Sequence, residues 1–162
     1  MALARRSLVI GGTGMLATAT RWLAARSDET VLVARHATAF DAARARLWPL
    51  DLDWDDPDFS HAVTRAISVA PIGNALLWLH NPRAIVETLR PHLAAARTVL
   101  VMGGMDGRPA APAWTQGLLT VRLGSQSIPG GRRWLTDAEI SAGAIAALET
   151  GKSQIVGELR GL

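Results

Sequence analysis

The chain has no cysteine and no tyrosine, and Lys152 is its only lysine. Without cysteine there can be no disulfide framework and no thiolate metal ligand. No uninterrupted apolar stretch reaches the ~18 residues of a membrane-spanning helix, and no signal peptide is visible. We therefore expect a cytoplasmic protein with no membrane partner. The positive charge is almost entirely arginine, and the net charge is only +3. The arginines are scattered, apart from Arg5-Arg6 and Arg132-Arg133. Such dispersion argues for solubility and against a nucleic-acid partner. Aromatic residues are scarce as well, and the six Trp are spread out, which points to core and interface packing rather than a stacking platform. His36, His61, His80 and His92 fall on separate segments, so neither a metal-ligand pair nor a Ser-His-Asp spacing is visible.

What is present is a globular chain of 162 residues, 49% of them hydrophobic. That is enough for one domain spanning 1–162 with a sizeable core. Its organising stretch is SLVIGGTGMLA at 7–17. An apolar run stops in a glycine-rich turn and continues as a helix-compatible segment. Read from Gly12 it is G-x-G-x-x-A, the dinucleotide fingerprint with a small third residue. Glycines permit a tight turn and close backbone approach to a pyrophosphate. The helix N-terminus adds unpaired N–H groups and a positive dipole end.

The remaining chain alternates. Strands are expected at 7–10, 30–34, 48–52, 74–79, 98–102 and 118–123, with a seventh within 153–159. Helices are expected from Gly14 to Arg26, from Thr38 through Leu47, after Asp56-Pro57, and after Asn81-Pro82, the last kinked or split at Pro91. The box Thr136-Asp137-Ala138-Glu139 opens a final helix that Gly151 ends. Segments 103–117 and 124–133 read as Gly/Pro/Ser-rich loops. The acidic run Asp53 to Asp58 reads as a helix N-terminus rather than a metal site. Alternation from start to finish predicts an α/β fold: a single doubly wound parallel sheet, Rossmann-like, with strand order 3-2-1-4-5-6 plus the seventh strand. Ligands of such sheets bind outside the carboxyl ends of the strands.

Position 35 bears on the cofactor. About twenty residues beyond the glycines an acidic residue would bind a ribose 2′-hydroxyl and select NAD. Arg35 stands there, followed by His36. A guanidinium can pair with a 2′-phosphate, so the expected cofactor is NADP.

At this point the chain resembles the short-chain dehydrogenase/reductase superfamily, nearest its extended and atypical branches. The residues that carry the resemblance are GGTGMLA at 11–17, LVARH at 32–36, LDLDWDD at 50–56 and RWLTDAEISAGAIAALETG at 133–151. The resemblance implies that Gly11, Gly14 and Ala17 fill the three small positions of the pyrophosphate turn, with Gly12, Thr13, Met15 and Leu16 beside them. It implies that Asp51 and Leu52 contact the adenine, and that Leu79 and His80 line the route to the nicotinamide. Members with hydride-transfer chemistry carry a Tyr-x-x-x-Lys pair on a helix between strands five and six. Here there is no Tyr, and Lys152 lies beyond the last helix. No catalytic residue is therefore assigned. His80 sits at the right rim for proton transfer, and Asp106, Ser125 and Ser127 are on loops that could cover the nicotinamide.

Three functional expectations remain open. One is an atypical NADP-dependent oxidoreductase acting on a small molecule. Another is a non-catalytic NADP-binding redox sensor or regulatory subunit. The third, a doubly wound methyltransferase, is weakened by Arg35, where a ribose-binding acid would be expected. Because the second half is short, we also expect a homodimer, formed through strand seven or the last helix, with Trp114 and Trp134 as contacts.

Overall fold

The computed structural model describes residues 6–42, 45–104 and 110–159. Its centre is β1 (Arg6–Ile10), flanked by β2 (Glu29–Ala34) and β4 (Asn74–Trp78). Outward from these lie β3 (Leu47–Asp51) on one side, and β5 (Arg97–Gly103), β6 (Leu119–Leu123) and β9 (Gln154–Val156) on the other. The order is β3-β2-β1-β4-β5-β6-β9, and every pairing in this seven-stranded sheet is parallel. The doubly wound sheet read from the alternation is the sheet observed, with β9 as its seventh strand.

Helices cover both faces because the central strands are apolar on both sides. Along β1, Val9 points to a layer built with α1 (Ala17–Ala25) and α4 (Asp137–Thr150), where Leu16, Leu23, Leu32, Leu76, Val121 and Leu148 are also buried. Leu8 and Ile10 point the other way, toward α2 (Phe59–Ile67) and α3 (Pro82–Leu89), packing with Phe59, Val63, Leu77, Val86 and Leu100. Each fully buried Leu contributes about 2 kcal/mol of apolar burial, so the two layers hold the sheet far more firmly than any surface ion pair.

Helix ends are set locally, with arginines reinforcing them. Thr136 accepts from the Glu139 N–H while the Glu139 carboxylate reaches back to the Thr136 N–H, completing the expected capping box. Arg6, only 8% exposed, pairs with Glu29 at 2.6 Å and donates to the carbonyls of Ala66, Ile67 and Ala70 where α2 ends. Arg97 donates to the carbonyl of Leu148 at the end of α4. A guanidinium at a helix C-terminus satisfies orphan carbonyls and complements the dipole.

Four expectations need correction. The helix from Thr38 through Leu47 is absent among the described residues: a single 3-10 turn, Ala37–Ala39, is followed by coil and then by β3 (residues 43 and 44 lie outside the described residues). Its Thr38 is instead drawn to Asp51, as described below. The first helix starts at Ala17 rather than Gly14, because the turn itself uses residues 11–16. The second full helix is preceded by Asp58, not Asp56; Asp56 folds back to accept from the Asp58 N–H. The 124–133 loop contains an antiparallel hairpin, β7 (Gln126–Ile128) and β8 (Gly131–Arg133), turning at Gly130 with φ of +84°. The split at Pro91 is observed: α3 passes into a 3-10 turn, Arg90–Leu93. No helix of the described residues is long and apolar enough to cross a membrane.

Candidate functional site

The turn between β1 and α1 is shaped by close approaches at two glycines and by open space at a third. Gly11 has φ of +75°, and a Cβ there would overlap the Trp78 carbonyl at the end of β4. Its N–H donates to the Val33 carbonyl at 2.9 Å, which fastens the turn to β2. A Cβ on Gly12 would overlap Thr20 and Val9, and the Thr20 hydroxyl donates to the Gly12 carbonyl at 2.8 Å. Around Gly14, by contrast, a Cβ would meet nothing within 4 Å. The first two glycines are required by the protein's own packing. The third leaves a vacant approach. The N–H groups of Thr13, Gly14 and Met15 make no hydrogen bond among the described residues, so the turn presents unpartnered donors at the start of α1.

This turn forms one wall of a cleft of about 260 Å³ at the carboxyl ends of the strands. Gly11, Thr13, Gly14, Met15, Arg35, His36 and Leu52 line it, all of them read from the sequence as site residues. Arg35 is exposed at the end of β2 and has no hydrogen-bond or ion-pair partner among the described residues. The cleft is also lined by Trp54, Phe59 and Trp78, which sequence reasoning missed. Trp54 lies three residues beyond the end of the third strand at the rim, and that position was the available signal. Thr20 offered none, since a threonine inside a helix is ordinary.

Five expected residues sit elsewhere. Gly12 and Leu16 are buried beneath the turn, and Leu79 is buried in the core beside α2 and α3. Asp51 is exposed, and its two carboxylate oxygens accept from the Thr38 N–H and hydroxyl, each at 2.9 Å. The Thr38 backbone hydrogen bond, followed by the Thr38 hydroxyl, holds the Asp51 carboxyl below its usual range. His80 is exposed at the rim and stacks on Trp54, with ring centroids 6.4 Å apart and planes 19° from parallel. Of the loop residues considered for chemistry, Ser125 and Ser127 are engaged by Arg132 at 2.7 and 2.9 Å. Asp106 lies outside the described residues. Lys152 precedes β9 and is therefore at the amino ends of the strands, across the sheet from the cleft. Asp53 and Asp56 cap their own turn, and no group of acids or histidines suited to a metal ion occurs among the described residues.

No protein-family model matches the chain, and no curated protein matches it. Solved structures do. A double mutant of a Serratia marcescens short-chain dehydrogenase/reductase superposes with a TM-score of 0.67, at 14% identity over 98% of this chain and 99% of that one. The two share a Rossmann-like α/β architecture. The TT0495 protein of Thermus thermophilus agrees over 94% of this chain and 97% of its own, at 18% identity and a TM-score of 0.64. Bacillus anthracis dTDP-glucose 4,6-dehydratase, solved with NAD, matches 97% of this chain with 74% of its own, at 10% identity and a TM-score of 0.64. Identities this low establish the shared architecture. Function must be argued from the site.

Proposed function

We propose that this protein binds NADP(H) across the glycine turn and the end of β2, and that it is an oxidoreductase acting on a small molecule in the cytoplasm. One observation carries the reading. Arg35, unpartnered among the described residues, shares a cleft with a turn whose N–H groups are equally unpartnered. The open space at Gly14 is a cradle that a side chain would fill, so the residues present fit a dinucleotide. In this reading the unpartnered N–H groups of Thr13, Gly14 and Met15, in the turn that Gly11 shapes, hold the pyrophosphate, and Arg35 with His36 holds the 2′-phosphate. Leu52, next to Asp51, borders the adenine, and His80 borders the path toward the nicotinamide. The bound cofactor supplies a hydride. The chain's part is to bind, orient and exclude water, with Trp54, Phe59 and Trp78 forming the apolar lining. His80, exposed at this rim and stacked on Trp54, is an imidazole placed to pass a proton.

A specific observation favours a second reading, a non-catalytic NADP(H)-binding sensor. The chain has no tyrosine, and its single lysine lies across the sheet from the cleft. Oxidation of NADPH with any of a panel of carbonyl and quinone acceptors would select the enzyme; binding without turnover would select the sensor. We also propose a homodimer in which Trp134, 77% exposed, is a contact. Trp114 packs against the core beside α3 and has less to offer a partner. A monomer by light scattering at micromolar concentration would remove that proposal.

The cofactor is tested by titrating NADPH and NADH while following tryptophan fluorescence, since two Trp line the cleft. Charge-assisted hydrogen bonds are worth about 1.5–3 kcal/mol. Arg35→Ala should therefore weaken NADPH by about ten- to a hundredfold and leave NADH unchanged. An unchanged preference between the two would overturn the assignment.

A further inference from the structure

The phosphate-facing turn is held by a residue from the far end of the chain. Ser141, on α4 and only 1% exposed, accepts from the Ala19 N–H at 3.3 Å and donates to the Met15 carbonyl at 3.1 Å. One hydroxyl has one proton to give and lone pairs to receive with, so both bonds can form together. Helix α1 needs this help. Its N-cap is Leu16, which has no side-chain oxygen, and no side chain caps it locally. The Ala17 N–H finds the Gly14 carbonyl at 2.9 Å, but the buried Ala19 N–H would be an orphan without Ser141.

The helix that delivers the hydroxyl is itself well placed. Its N-terminus is fixed by the Thr136–Glu139 box one turn before Ser141. Ala144 and Ala147 are fully buried, and a Cβ on Gly143 would overlap Val156 of β9. Small residues thus let α4 lie close to α1 and the sheet.

We propose that Ser141 is a positioning residue of the dinucleotide site. Its hydroxyl holds the Met15 carbonyl inward, on the helix side of the turn. The unpartnered N–H groups of Thr13, Gly14 and Met15 thereby stay available to a pyrophosphate. With Thr20 holding the Gly12 carbonyl in the same way, the turn is pinned at two carbonyls, once from its own helix and once from α4. The proposal rests on the NADP(H) reading and adds to it a residue that touches no ligand.

The test compares two ligands. NADPH carries the pyrophosphate; adenosine 2′-phosphate carries the adenosine and its 2′-phosphate without it. Loss of a buried hydrogen bond should make Ser141→Ala bind NADPH about tenfold more weakly. Adenosine 2′-phosphate should be bound as by the wild type, and Ser141→Thr, which restores the hydroxyl, should recover NADPH affinity. Unchanged NADPH affinity in Ser141→Ala overturns the proposal. So does equal weakening of both ligands, which would mark a general loss of structure. If the wild type binds neither ligand, the NADP(H) reading falls first and takes this proposal with it. Should Ser141→Ala not fold, Ser141→Cys keeps the volume while weakening both hydrogen bonds and undergoes the same titrations. If neither variant folds, Ser141 is a core residue only and the proposal fails.

Discussion

The two crossovers that frame the sheet's carboxyl edge are built very differently. Between β1 and β2 the chain makes a tight glycine turn and a nine-residue helix, with the turn pinned by Val33, Thr20 and Ser141. Between β5 and β6 the described residues contain no α-helix and a single 3-10 turn, Ala113–Thr115. The first crossover holds unpartnered donors in a rigid frame. Among its described residues the second offers no α-helix on which an acid–base pair could be mounted. The difference teaches that a turn of preorganised donors and a scaffold for acid–base chemistry are separate constructions on this fold. Preorganised donors need only one well-supported turn, whereas a catalytic pair needs its own rigid element at the right distance.

The strongest way to break this comparison is to disturb the first turn from within. Gly11→Ala places a Cβ on the Trp78 carbonyl at a φ of +75°. Overlap and strain together should cost about 3 kcal/mol or more, read as a lower denaturation midpoint in urea. A variant as stable as the wild type would show that the turn is not rigid. Gly14→Ala sharpens the contrast, because a Cβ there meets no protein atom. It should change stability by less than about 0.5 kcal/mol while weakening NADPH markedly in the fluorescence titration. A loss of stability equal to that of Gly11→Ala would erase the distinction between a glycine required by packing and one that borders open space.

The smallest effect belongs to the second half. Glu139 accepts from Arg133 at 2.8 Å and from Gln126 at 3.3 Å, tying the β7–β8 hairpin to the start of α4. The Arg133 hydrogen bond, with lesser help from Thr136, holds its carboxyl below the ordinary value of 4.5. A carboxylate with a lowered folded-state pKa stabilises above its ordinary pKa, and that contribution is lost as pH falls through the lowered one. The thermal midpoint should therefore drop slightly on acidification below about pH 4.5, and Glu139→Gln should remove part of that drop. An identical acid profile in the two proteins would mean that the hairpin is held by other contacts.

Much of this molecule was legible in the sequence, and the reason is periodicity. Apolar runs such as Asn74–Trp78 and the alternation of strand with helix carried the sheet order, and Thr136 with Glu139 carried the last helix's start. The helix expected after Thr38 failed because Asp51, thirteen residues on, claims that threonine's N–H and hydroxyl. A local capping pattern cannot register a competitor brought in by strand pairing. The hairpin was missed because its strands have three residues each, too short to show alternation, although Pro129-Gly130-Gly131 did signal a turn. Seven cleft-lining residues followed from the glycine motif and the strand ends. Trp54 was signalled only by its place just beyond the third strand; Phe59, Trp78 and Ser141 depend on contacts between distant segments, and no local spacing encodes those.

The placement of Lys152 has a practical use. Basic side chains carry much of the internal wiring here, but almost all of them are guanidinium groups, whose planar fork can satisfy several carbonyls at once, as Arg6 does. Reagents that attack lysine ε-amines leave that wiring untouched and find one side chain. It is exposed, across the sheet from the cleft. A fluorophore or surface tether attached at Lys152 would hold the molecule by its back, leaving the glycine turn facing solution.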